Sequence, residues 1–70
     1  MNMKDNVIGV SIKQNRLERK ISQTTLAKAI GVTHAAISYW ENGVNIPNIN
    51  DCWKMAEYMN ISIDELVGKT

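Results

Sequence analysis

The 70 residues predict an all-α fold, a compact five-helix domain with a helix-turn-helix at its centre. Three observations predict it. Between Ser22 and Gly43, two short apolar stripes, each preceded by a capping residue, are separated by Gly31. Upstream, Ile8 and Ile12 repeat at helical spacing. Downstream, Asn48 and Ser62 each open a further apolar run, with Asp51 and Glu65 three residues on as capping boxes.

Taken in order, residues 1–6 are polar and are expected to fray, with Asp5 or Asn6 available to cap the first helix. That helix is predicted from Val7 to Arg19, with Ile8, Ile12 and Leu17 inward and Lys13, Gln14, Glu18 and Arg19 outward. Gly9 costs such a helix up to ~1 kcal/mol relative to alanine. Arg16 falls on the next turn of the Ile8–Ile12 stripe, where an unpaired charge would be costly. Lys20 and Ile21 form a short link.

Ser22 caps the second helix by accepting from a first-turn N–H, and Leu26 and Ile30 form its stripe. Gly31 ends it where the chain needs a positive φ. Thr33 caps the third helix, Ile37 and Trp40 point inward, and Asn42-Gly43 stops it. Small Ala27 lets the two helices approach, and the short turn makes them cross rather than run antiparallel. Pro47 biases Ile46 away from helix, so residues 44–47 are a loop. In the fourth helix Ile49, Cys52, Trp53, Met55, Ala56 and Met59 read as one broad core face, ended by Asn60 or Ile61. Ser62 to Glu65 opens a last short helix, with Leu66 and Val67 apolar and Gly68 closing it.

Length and composition bound the function. The chain is expected to be one domain over residues 1–70, with no second domain to sense a ligand. No apolar run is long enough for a membrane span and the N-terminus does not read as a signal peptide, so a cytoplasmic location is expected. One cysteine fits a reducing compartment, and Cys52 reads as a buried thiol rather than a nucleophile. One histidine and one cysteine make no metal-ligand set. Paired carboxylates, a nucleophile–base set and a phosphate loop are equally missing, so neither enzyme activity, a cofactor nor a small-molecule ligand is expected. Net charge is only +1, but residues 1–40 carry six basic and two acidic side chains and residues 41–70 two basic and five acidic. That field could turn its positive side to DNA, although charge alone does not separate this from an ordinary solvated surface.

The outward residues of the third helix, His34, Ala35, Ser38 and Tyr39, are small or hydrogen-bonding, and none is acidic. Such a face fits a DNA major groove without repelling phosphate. With Ser22-Gln23, Leu26-Ala27, Gly31-Val32-Thr33, Ile37-Ser38, Glu41 and Gly43 in an ungapped register, the stretch resembles the phage-repressor and Cro family of helix-turn-helix regulators. The likeness runs from Ile8 to Val67 and implies a lambda-repressor-like DNA-binding domain from a prokaryotic, phage or mobile-element source.

The resemblance also implies roles. His34, Ala35 and Tyr39 would read bases, and Ser38 and Thr33 would reach flanking bases or phosphate. Gln23, at a helix start without acidic neighbours, would offer its amide to a phosphate, as would the backbone and amides of Asn42, Gly43 and Asn45. Arg16 would pair with Glu41 and tie the first helix to the end of the third. An I-G-x-x-I pattern common in the family makes Gly9 a close packing contact. The chain also departs from the family's pattern. The family often has glycine where Lys20 stands, and the 44–46 loop lacks the usual cation. No arginine, asparagine or glutamine stands among the base readers, so DNA shape would carry part of any specificity.

The expected function is a sequence-specific regulator of transcription, a repressor that binds an inverted-repeat operator in duplex DNA as a homodimer, reading it through residues 33–42. Trp53, Tyr58, Ile61, Ile63 and Leu66 are the apolar residues available for the dimer surface. The alternative is a protein-interaction module, an antitoxin or anti-repressor that uses the same fold to grip a partner.

Overall fold

The computed structural model describes residues 6–68. Five helices follow in order, α1 (Val7–Glu18), α2 (Gln23–Ile30), α3 (His34–Glu41), α4 (Ile49–Met59) and α5 (Ile63–Leu66). No strand occurs among the described residues.

The caps form where the sequence offers them. Ser22 Oγ accepts from the Thr25 N–H at 3.0 Å, and Thr33 Oγ1 accepts from that of Ala36 at 3.1 Å. Gly31, at φ +78°, closes α2, and the N–H groups of Gly31 and Val32 both return to the Ala27 carbonyl. Asn48 and Ser62 cap α4 and α5 in the same manner as Ser22. Lys20 adopts φ +56°, and the N–H of Ile21 reaches the Arg16 carbonyl at 3.0 Å. A β-carbon makes this conformation unfavourable, so α1 closes at a position that suits glycine better.

Each helix contributes one fully buried large side chain, namely Ile12, Leu26, Ile37, Met55 and Leu66. Ala27, Ile30, Trp40, Cys52, Ala56 and Met59 complete the core around them. Burial at roughly 25 cal/mol per Å² of apolar surface is its main driving force.

Several expectations need correction. The buried face of α1 runs through Gly9, Ile12 and Arg16, with Ser11 beside it, and Leu17 is exposed. Leu17 lies five residues beyond Ile12, about 140° around a helix of 3.6 residues per turn, so it turns out of the contact. A β-carbon at position 9 would overlap the Trp40 carbonyl and the Asn6 side-chain amide, so glycine is what lets α1 touch the last turn of α3. Asn6 does not fray. It is buried and its Nδ2 donates to the Glu41 carbonyl at 3.0 Å instead of capping α1, while Asp5 lies outside the described residues.

On α4, Ile49 and Trp53 do not join the core; they are 66% and 60% exposed on the outer face, while Cys52, Met55, Ala56 and Met59 pack inward. Counting apolar residues does not separate the two faces, because Ile49 and Trp53 place large apolar side chains on the outer one as well. Leu66 is fully buried and so unavailable to a dimer surface, whereas Ile61 and Ile63 are half-buried against the core. Burial pushes the Cys52 thiol above its ordinary pKa, with the nearby Asp51 charge acting in the same direction, which leaves a poor nucleophile.

Candidate nucleic-acid interface

The first turns of α2 and α3 carry no acidic side chain. His34, Ala35 and Tyr39 are exposed on the outer side of α3, and Ser38 is half-buried beside them. Thr33 is exposed, and because its oxygen accepts from Ala36 its hydroxyl proton stays free to donate. At the far end of α3, Asn42 Nδ2 donates to Ser38 Oγ at 3.3 Å. Gly43 follows at φ +76° and is half-buried against Asn6, and Asn45 is exposed in the loop beyond.

A chain of hydrogen bonds behind this surface holds it in place. Arg16 donates from Nε to Glu41 Oε2 at 2.7 Å and from Nη2 to Glu41 Oε1 at 3.0 Å, a two-pronged ion pair. Its third branch, Nη1, donates to the Ile21 carbonyl at 2.9 Å. The two side chains are 9% and 2% exposed. Gln23 Nε2 donates to Glu41 Oε1 at 2.9 Å, and Gln23 Oε1 lies 2.7 Å from His34 Nε2. With Asn6 on its carbonyl, Glu41 joins the start of α1, the last turn of α1, the start of α2 and the end of α3. The fork of a guanidinium matches a carboxylate geometrically, and a pair buried this deeply fixes position more than it adds net stability.

The sequence expectations are sorted by this geometry. The structure brings Arg16 and Glu41 together. Gln23, expected to offer its amide outward, spends both amide atoms within the chain and keeps one N–H and one oxygen lone pair in reserve. The links from Asn6 to Glu41 and from Gln23 to His34 were missed. Nothing in residue spacing announces them, since each joins polar residues that meet only after α1, α2 and α3 have packed.

The basic excess of residues 1–40 also shrinks as a field. Arg16 is consumed by Glu41, and Arg19 donates from Nε to the Met59 carbonyl at 2.8 Å and from Nη1 to the Asn15 carbonyl at 3.0 Å. Arg19 thus serves the negative end of the α4 dipole. Lys13, Lys20 and Lys28 are the other exposed basic residues of this half among those described.

A helix-turn-helix family model matches residues 12–66. The repressor protein C2 of Salmonella phage P22 is 32% identical over 65 residues, 93% of this chain and 30% of that protein. The transcriptional activator BcrR of Enterococcus faecalis is 32% identical over 57 residues, 81% of this chain and 28% of that protein. The chain therefore spans less than a third of the length of these two relatives. The P22 c2 repressor, in its crystal structure with synthetic operator 9T, matches with a TM-score of 0.80 at 33% identity over 86% of this chain and 91% of that one. The restriction-modification controller protein C.AhdI of Aeromonas hydrophila matches with a TM-score of 0.83 at 26% identity, over 90% and 97%. Among the described residues no helix is long and apolar enough to cross a membrane. By its capped α2–turn–α3 unit and the match along residues 12–66, the chain belongs to the helix-turn-helix family, among relatives that include phage repressors and other regulators of transcription.

Proposed function

We propose that the chain is a repressor of transcription in the cytoplasm that binds an inverted-repeat operator as a homodimer, with α3 in the major groove and α2 across the backbone. One observation carries this reading. The exposed, acid-free face of His34, Ala35 and Tyr39 is held by the buried Arg16–Glu41 pair in a fold like that of a repressor solved on its operator. His34 and Tyr39 would bond base edges, Ala35 would pack on a thymine methyl, and Ser38 would assist. Thr33, the N–H groups at the start of α2, and Asn42, Gly43 and Asn45 would bind phosphate.

The dimer surface we favour differs from the one expected on sequence. Trp53 remains, joined by Ile46 and Ile49, all exposed, with half-buried Ile61 and Ile63 at the edge, while Tyr58, five residues beyond Trp53, is exposed about 140° around α4 and falls outside it. Ile49 and Trp53, four apart on α4, form the centre of that patch. A second reading, a module that grips another protein through this fold, draws support from Val44 and Ile46. They expose apolar surface in a loop with no cation.

Selection on a random duplex library at about 150 mM salt tests the reading, since that ionic strength weakens non-specific binding. An inverted repeat should be enriched, and His34→Ala and Tyr39→Ala should each relax defined positions. Absence of enrichment, at this salt or a lower one, would overturn it in favour of a protein partner.

A further inference from the structure

The two contacts of the Gln23 amide are linked. Nε2 faces Glu41 Oε1 at 2.9 Å and Oε1 faces His34 Nε2 at 2.7 Å. Glu41 is the carboxylate partner of Arg16, and a carboxylate only accepts. The amide must therefore turn its NH2 group to Glu41, because the reverse would set oxygen against oxygen beside a buried charge. Its own oxygen is then what His34 meets. An amide oxygen only accepts, so the hydrogen bond requires the proton on His34 Nε2. In the neutral ring the second nitrogen, Nδ1, then carries a lone pair. It points away from Gln23 by the geometry of the imidazole, and the residue is exposed.

We propose that Glu41, acting through Gln23, fixes the tautomer of His34 and with it the class of base selected: neutral His34 presents an acceptor and takes a base with an exocyclic amino group in the major groove, adenine or cytosine. This rests on the reading of α3 as the base-contacting helix. Adenine N6 and cytosine N4 are donors there, whereas guanine offers only N7 and O6 acceptors. Gln23 and Glu41 are positioning residues, and His34 makes the contact. The charged groups behind the ring are Arg16 from α1 and Glu41 from the end of α3, which pair with each other, and α2 brings the uncharged amide of Gln23. Protonation of the ring adds a hydrogen at Nδ1 and keeps the one at Nε2, so the bond to Gln23 survives while the outward nitrogen becomes a donor.

The chain has a single histidine, so nitrogen-15 NMR of the whole protein reads this tautomer without ambiguity. Operator selection at about pH 8 reads the base preference. One operator position should lose its preference in His34→Ala. There, adenine or cytosine should be favoured roughly tenfold over guanine. Gln23→Leu should abolish this preference by freeing the tautomer, while leaving the preferences at other positions, which report that the variant is folded. A proton on Nδ1 alone at pH 8, guanine or thymine at that position at pH 8, or an unchanged preference in Gln23→Leu would each overturn the proposal and leave the DNA-binding reading intact. Failure to enrich any duplex would overturn both.

Discussion

The outer surfaces of α3 and α4 are both solvent-facing and yet are built in opposite ways. That of α3 is polar and sparse, and its position depends on a buried ion pair and two amides behind it. That of α4 carries large apolar side chains, Ile49 and Trp53, among exposed Asn50, Lys54 and Glu57, on a helix held by ordinary packing of Cys52, Met55 and Met59. On the proposed function, the difference teaches that positioning and adhesion are separate tasks. A surface that must present hydrogen-bonding groups at fixed places needs directional contacts beneath it, while a surface that associates through apolar area needs only exposure.

Breaking the ion pair is the most severe test of this contrast. Glu41→Ala strands a buried guanidinium and should cost about 3–5 kcal/mol in urea denaturation. Replacing the pair together, Arg16→Met with Glu41→Leu, should restore much of that stability without restoring the place of Gln23. Recovered stability with full operator affinity would show that the pair does not position α3. Next, Gly9→Ala should cost about 2 kcal/mol net, because the overlap with the Trp40 carbonyl outweighs the gain in helix propensity. Lys20→Gly should work in the other direction and stabilise the fold by about 1 kcal/mol, by relieving the left-handed backbone. Trp53→Ser should change monomer stability by no more than about 0.5 kcal/mol yet shift sedimentation toward monomer, whereas a large loss of stability would make Trp53 a core residue after all. The smallest effect is expected at Cys52. Its thiol should label slowly in the native protein near pH 8 and quickly once unfolded. Because its folded pKa is raised, the associated stability is present below the ordinary thiol pKa and is lost as pH rises through the folded value.

Much of the fold was legible because its signals are local. Ser22, Thr33, Asn48 and Ser62 each bond a backbone N–H three residues on, and Gly31 needs no distant partner to close α2. The choice between two apolar faces of α4 was not legible, since it depends on where α2 and α5 lie against it. The outer face of α3 could be read from periodicity, but its support could not. Asn6 and Glu41 are 35 residues apart, and Gln23 and His34 meet across a turn whose angle no spacing rule supplies. Arg19 shows the same limit, because counting charges cannot say that a cation is already spent on a helix end.

The one-side-chain-per-helix core bears on how long this protein lasts in a cell. With Ile12, Leu26, Ile37, Met55 and Leu66 sharing one centre, no helix can be lost without exposing the other four. The four-residue α5 is the cheapest to detach, fastened by Leu66 and by the bond from Ser11 to the Glu65 carbonyl. A protease that gains that last turn removes a fifth of the deepest contacts at one stroke, so clipping there should clear the whole domain rather than leave a shortened one competing for the same sites.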